Sequence, residues 1–103
     1  MTHKQQIEEV RRLIETVGGS CKVTGQSQRS FGSAGIPDLI CFADVRGKRR
    51  HFYVEVKVGR DKLSLPQRAF RDECLRAHVP YVVGRVGDVA DFLGLTEAAK
   101  SGQ

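Results

Sequence analysis

The 103-residue sequence lacks a long apolar run, since no stretch approaches the roughly 18 apolar residues that a membrane helix needs. It also opens without the charged and then apolar pattern of a secretory signal peptide. Internal repeats and low-complexity segments are absent as well. These absences lead us to expect a cytoplasmic protein without a membrane span.

Cysteine is scarce, and its spacing suits neither a disulfide framework nor a zinc site. Cys21, Cys41 and Cys74 are odd in number and form no CxxC pair. We therefore interpret all three as reduced, small apolar residues in a reducing compartment.

Acidic residues are outnumbered, with 12 Asp and Glu against 17 Lys and Arg, which leaves a formal charge of +5 and a pI near 9.5. This balance favours a polyanionic partner such as nucleic acid. With 40% apolar residues, the chain is long enough for one core and too short for two. We expect a single domain over residues 1–103, with its core at about 5–95 and a frayed tail at 96–103.

The apolar pattern predicts helices and strands in a mixed order. Helical spacing of apolar residues predicts a first helix over 5–17 that ends at Gly18-Gly19. Ser64 followed by Gln67 is a capping-box pattern that predicts the start of a second helix, and Asp88 is the expected cap of a short closing helix over 88–95. The predicted strands cover residues 21–24, 39–45, 52–58 and 81–86.

Two polar segments interrupt this pattern. Residues 25–35 are rich in Gly, Ser and Gln and predict a long loop, in which Arg29 and Phe31 are candidates to meet a phosphate and a base. The alternative is a mobile loop with one residue anchored in the core. Residues 46–50 read Arg-Gly-Lys-Arg-Arg and predict a hairpin turn with four positive charges, which either contacts DNA or is simply solvated.

Three charged residues stand in the apolar runs that flank this hairpin. Asp38 opens the first run, while Glu55 and Lys57 lie two residues apart in the second and therefore on one face of a strand. The hairpin gives Asp38 a way to reach the same place. Two carboxylates suit Mg²⁺, which prefers oxygen ligands, and a lysine beside them can position a water or stabilise charge on a phosphate. We therefore predict metal-dependent phosphodiester chemistry here.

In combination, three motifs resemble the PD-(D/E)xK nuclease superfamily and, within it, the VRR-NUC family: Gly35-Ile36-Pro37-Asp38, Glu55-Val56-Lys57 and Leu63-Ser64-Leu65-Pro66-Gln67. The resemblance covers about residues 5–93. It implies an α/β fold of the restriction-endonuclease type, namely helix, three strands, helix, strand and helix around a central mixed sheet. The small size resembles that of stand-alone members from phages and bacteria, so the expected location is the cytoplasm, that of the bacterial host if a phage encodes the chain.

The resemblance implies a role for each matching residue. Asp38 and Glu55 would bind Mg²⁺ or Mn²⁺ together with the backbone carbonyl of Val56, and Lys57 would be the catalytic lysine. Gln67 would assist by orienting water or the lysine, with the capping box as its competing structural role. The expected DNA contacts are Arg29, Lys48, Arg49, Arg50, Arg60 and Lys62.

The resemblance also implies a homodimer that cuts branched DNA, such as a four-way (Holliday) junction, without an organic cofactor. The alternatives are a flap-type nuclease, a non-catalytic DNA-binding module of the same shape, and an interaction protein in which Glu55 and Lys57 form a surface pair. One departure concerns the first helix, where many relatives carry a glutamate that faces the metal. Here Gln6 and His3 fall on the inward face and Glu9 at its edge, so this position is left open.

Overall fold

The computed structural model describes residues 1–24 and 35–95. Within these ranges the strands form one four-stranded sheet in the order β1-β2-β3-β4, antiparallel except for the parallel pair β3–β4. This mixed sheet with flanking helices confirms the predicted α/β architecture and its order of elements. The elements are α1 (His3–Thr16), β1 (Ser20–Val23), β2 (Leu39–Val45), β3 (Lys48–Val56), α2 (Leu65–Arg76), β4 (Tyr81–Gly84) and α3 (Val86–Phe92).

The core lies between one face of the sheet and the helices α1 and α3. Ile7, Val10 and Ile14 form the buried stripe of α1, at the helical spacing seen in the sequence. Because the side chains of a strand alternate between faces, every second residue of β2 and β3 points to these helices. The core-facing strand residues are Leu39, Cys41, Ala43, Val45, Phe52, Val54 and Val56.

Helix α2 packs on the opposite face of the sheet through aromatic contacts. The ring of Phe70 lies 5.1 Å from that of Tyr53 in an edge-on arrangement and 6.1 Å from that of Tyr81. Cys74 is buried on this helix, whereas Ala77, the C-cap residue, is exposed. The sheet face that carries α2 is less covered by helices than the face that carries α1 and α3, and Phe42 and Val83 are exposed on it.

The β2–β3 connection is a hairpin, as predicted, but its turn has two residues and not the five predicted at 46–50. Val45 pairs with Lys48, and the intervening Arg46 and Gly47 have φ of 51° and 83°. Positive φ at both central positions is the signature of the turn that matches the twist of a hairpin. Lys48 and the two arginines after it therefore belong to β3 and not to the turn.

Several predicted boundaries differ from the observed ones, and those of β3 and α3 matter most for the site. β3 ends at Val56, so Lys57 lies just past the strand, although its N–H still donates to the carbonyl of Gly84 at 3.0 Å. α3 begins at Val86, earlier than expected, and Asp88 is not its N-cap. Instead, the Asp88 carboxylate reaches back to accept the N–H of Arg85 at 2.9 Å, as the third residue of a capping box does.

The three cysteines are free, and Cys21 and Cys41 face each other across the β1–β2 pair. Cys41 and Cys74 are buried and Cys21 is half-buried, as small apolar residues would be. Among the described residues, no helix combines the length and the apolar character that crossing a membrane requires.

Candidate active site

Asp38 enters the site through a turn that requires glycine. Gly35 has a φ of +87°, and a Cβ at this position would lie 2.5 Å from the carbonyl oxygen of Pro66. Only glycine therefore lets the chain pass this closely against the start of α2. The buried Pro37 follows, and its carbonyl accepts the hydroxyl of Thr24 at 2.7 Å. Two of the sequence motifs, around Asp38 and around Pro66, are thus packed directly against each other.

The hairpin register brings the two carboxylates together. Leu39 pairs with Val54, so Asp38 and Glu55 are the next facing positions and project from the same side of the sheet. The Oδ2 atom of Asp38 accepts the N–H of Val56 at 2.9 Å, which anchors this carboxylate to the strand that carries Glu55. Only 13% of the Asp38 side chain is exposed.

Glu55 is the most deeply buried charged residue of the site, with 4% of its side chain exposed. Burial, together with the nearby charge of Asp38, raises the pKa of the Glu55 carboxyl to about 8. Its Oε1 atom is buried and has no hydrogen-bond partner among the described residues. A buried oxygen without a partner is costly, so this atom is available to an additional group such as a cation.

Gln67 has two roles at once. The side-chain Oε1 of Gln67 accepts the backbone N–H of Ser64 at 2.8 Å, and the backbone N–H of Gln67 donates to the Ser64 hydroxyl at 3.3 Å. These two hydrogen bonds complete the predicted capping box of α2. Its Nε2 donates to Oε2 of Glu55 at 3.1 Å. The structural and site roles are therefore not alternatives, because opposite ends of one amide perform them.

Lys57 lies beside the same carboxylate. Its Nζ is 3.8 Å from Oε2 of Glu55, and 19% of its side chain is exposed. The ammonium group therefore reaches both Glu55 and the solvent, where it can interact with an incoming anion.

His3 is the first-helix residue that reaches the carboxylates. Its Nε2 lies 3.2 Å from Oδ2 of Asp38 and 3.0 Å from the carbonyl oxygen of Val56. The other two candidates, Gln6 and Glu9, instead line a cleft between α1 and α3. The sequence contains a signal for this arrangement, since Thr2 and Gln5 form a capping box that starts α1 at His3.

Together these residues form a group with the chemistry of a divalent-cation site. His3, Asp38 and Glu55 each offer one ligand atom, and these atoms lie within 4.8 Å of one another. Carboxylate and carbonyl oxygens suit Mg²⁺ and Mn²⁺, and the unpartnered Oε1 of Glu55 fits the same interpretation.

The VRR-NUC domain family matches this chain over residues 3–88. The chain belongs to the VRR-NUC family. A solved structure described as a VRR_NUC domain is similar over 88% of this chain and 94% of its own length, with a TM-score of 0.65 and 23% identity, which shows a shared fold. The comparison with curated proteins gave no match. Membership makes the chain a nuclease, and therefore a hydrolase, of a family that usually depends on divalent metal, and it implies DNA as the substrate.

The predicted DNA contacts of this VRR-NUC domain lie in different places. Lys48 precedes Glu55 by seven positions in β3, which is about 23 Å along a strand, so the basic end of the hairpin is remote from the carboxylates. Arg49 donates to the carbonyl of Gly18 at 3.1 Å and lies 3.5 Å from Asp44. Arg60 and Lys62 are exposed between Lys57 and α2. Arg29 lies outside the described residues.

Proposed function

We propose that this VRR-NUC domain, spanning the whole chain, is a metal-dependent endonuclease that hydrolyses phosphodiester bonds in branched DNA, with the four-way junction as its preferred substrate. The observation that carries the proposal is the facing pair Asp38 and Glu55, with Lys57 beside it. The buried Oε1 of Glu55 has no hydrogen-bond partner in the part of the chain that the structure describes. A solvated surface pair would have no need of such burial.

The proposed metal ligands are Asp38, Glu55 and the carbonyl of Val56, with Mg²⁺ or Mn²⁺ as the cation. When bound there, such a cation supplies Lewis-acid polarisation of the phosphodiester and of a water. The N–H of Val56 fixes Asp38, and the amide of Gln67 fixes Glu55, so neither carboxylate has to reorganise when DNA arrives.

Lys57 is the proposed catalytic lysine. Its ammonium beside Oε2 of Glu55 is placed to hold a water or to stabilise the charge that develops on the phosphate. Gln67 is a positioning residue, because it acts on the reaction through Glu55.

Branched DNA and a homodimer form the finer part of the proposal. A four-way junction offers two equivalent strands, and a homodimer offers two equivalent sites. Phe42 and Val83 are exposed apolar residues on the sheet face that carries α2, and they support an association surface on that side. The proposed DNA contacts are the basic residues near the site, Arg60 and Lys62, together with those at the remote end of the hairpin and Arg29.

The decisive experiment is a cleavage panel in Mn²⁺ that compares four-way junctions, flaps, splayed arms and linear duplex. We expect products from the junction, and light scattering should report the mass of a dimer.

Lys57→Met should abolish cleavage with the fold and most DNA binding retained, whereas Lys22→Met, at an exposed position on β1, should cleave normally. Nicking by Lys57→Met at the wild-type rate would refute the mechanism, and products from flaps alone would make the chain a flap nuclease.

A further inference from the structure

We propose that His3 is a direct ligand of the cation through Nε2, and that this nitrogen makes the site prefer a first-row transition-metal ion such as Mn²⁺ over Mg²⁺. The inference rests on the proposed function, because it concerns the cation of the same site. It goes further by adding a ligand and a metal preference that two carboxylates and a carbonyl would not produce.

The position of His3 is fixed by local sequence. The side chain of Thr2 accepts the N–H of Gln5 at 3.1 Å, and the side chain of Gln5 accepts the N–H of Thr2 at 2.7 Å. This reciprocal cap makes His3 the first residue of α1, while Ile7 and Val10 anchor the next turns in the core. The imidazole therefore stands at the mouth of the site with 45% of its side chain exposed, where an ion can enter.

Nε2 faces two acceptor oxygens, an arrangement in which a cation can take the place of one shared hydrogen bond. It lies 3.2 Å from Oδ2 of Asp38 and 3.0 Å from the carbonyl oxygen of Val56, and both of these atoms are acceptors. A single N–H cannot satisfy two acceptors fully, and the lone pair of the other tautomer would face both without any proton. Oδ2 of Asp38 already accepts the N–H of Val56. A cation shared by Nε2 and the oxygens satisfies all of them.

An imidazole nitrogen changes which ion the site prefers. Mg²⁺ is a hard cation that takes oxygen ligands and keeps its waters, whereas first-row transition-metal ions accept imidazole readily. Asp38 and Glu55 alone would accept either kind of ion. Replacing one oxygen ligand by Nε2 weakens the binding of Mg²⁺ more than that of Mn²⁺. The ratio of the affinities for Mn²⁺ and Mg²⁺ therefore shows whether the nitrogen is a ligand.

The test compares the binding of Mn²⁺ and Mg²⁺ by calorimetry in four proteins: wild type, His3→Gln, His3→Glu and His78→Asn. Gln keeps an N–H that can donate to Asp38 but cannot ligate through nitrogen, and Glu offers an oxygen ligand. His78 is exposed with a φ of 57°, which Asn tolerates, so His78→Asn controls for the loss of a histidine. Wild type and His78→Asn should prefer Mn²⁺ by roughly tenfold or more, and both His3 variants should lose most of that preference.

A spectroscopic readout separates ligation from positioning. Electron spin echo modulation of bound Mn²⁺ should show a coupled ¹⁴N nucleus in wild type and in His78→Asn, and none in His3→Gln or His3→Glu. Bound Mn²⁺ without nitrogen coupling, no Mn²⁺ binding at all, or an unchanged Mn²⁺ preference in His3→Gln would each overturn the inference. Nitrogen coupling in a wild-type protein that cleaves no DNA would leave the ligand assignment standing and refute the nuclease mechanism. DNA cleavage by a wild-type protein whose bound Mn²⁺ shows no ¹⁴N coupling would refute the ligand assignment and leave the nuclease mechanism standing.

Discussion

The two ends of the β2–β3 hairpin carry charge in opposite ways. At the Asp38–Glu55 end, Glu55 is buried and Asp38 is partly buried, and each carboxylate is held by a defined donor, the amide of Gln67 or the N–H of Val56. At the turn end, the residues from Arg46 to Arg50 are all exposed. The difference suggests a division of labour, because chemistry needs groups held in place, whereas attraction of a phosphate backbone needs only positive charge near the surface.

The largest effect should come from the buried end. Asp38→Asn keeps an oxygen that can accept the N–H of Val56 but removes the charge that a cation requires. We expect the rate of DNA cleavage in Mn²⁺ to fall by more than the roughly hundredfold that losing an outer-shell partner of a metal site costs. The melting temperature without metal should not fall, because the substitution removes repulsion between Asp38 and Glu55.

The matched control is Asp44→Asn, which removes an exposed carboxylate from β2, the strand that begins directly after Asp38. It should cleave like wild type. Equal losses in the two variants would show that the net charge of β2, and not the position of Asp38, governs the activity.

Backbone substitutions test the same contrast through stability. Gly35→Ala combines a positive φ with a Cβ that would meet the Pro66 carbonyl, so we expect the free energy of unfolding to fall by more than about 2 kcal/mol. Gly47→Ala at the turn has a similar φ of +83° and open space around it, so it should cost only about 1 kcal/mol. Urea denaturation measures both, and equal losses would contradict the close packing of Gly35 on α2.

Gln67→Glu separates the two roles of one side chain. The glutamate can still accept the N–H of Ser64, but its negative charge would meet Oε2 of Glu55 where an amide now donates. We expect cleavage to fall by roughly 10-fold to 100-fold, as when an outer-shell partner of a metal site is lost. Ser64→Ala should instead lower the free energy of unfolding by about 1 kcal/mol and largely preserve cleavage. If Gln67→Glu lowered the stability but left cleavage unchanged, Gln67 would act only in the helix cap.

The smallest effect should come from the basic end of the hairpin. Replacing Lys48 and Arg50 by Ala removes two exposed charges that lie about 23 Å and about 17 Å along the strand from Glu55. If both contact phosphates, the slope of log affinity for duplex DNA against log salt should decrease by about 2. The cleavage rate at saturating DNA should not change. A lower rate at saturation would show that the two ends of the hairpin are not functionally separate.

Much of the fold follows from local patterns, and the reasons are visible in particular residues. The alternation of Phe52, Val54 and Val56 predicts a strand with one buried face, and the polar pair Arg46-Gly47 suits a tight hairpin. The capping box of Ser64 and Gln67 predicts the start of α2, where the structure places it. The predicted ends of the helices and strands were less accurate. An aspartate near a helix start can be the cap itself or can reach back to the cap from the third position, and in α3 the Asp88 side chain reaches back to the N–H of Arg85.

The sequence by itself determined the order of helices and strands, the motifs around Asp38 and Glu55, and the face that Glu55 uses, because these depend on periodicity and on turns of a few residues. Only the tertiary structure decided that His3 approaches Asp38 and Val56, which lie 35 and 53 residues away. It also decided that Gln67 holds Glu55 and that the basic residues of the hairpin lie far from the carboxylates. These outcomes depend on how α1 and α2 dock on the sheet, and docking is set by the summed packing of the whole core.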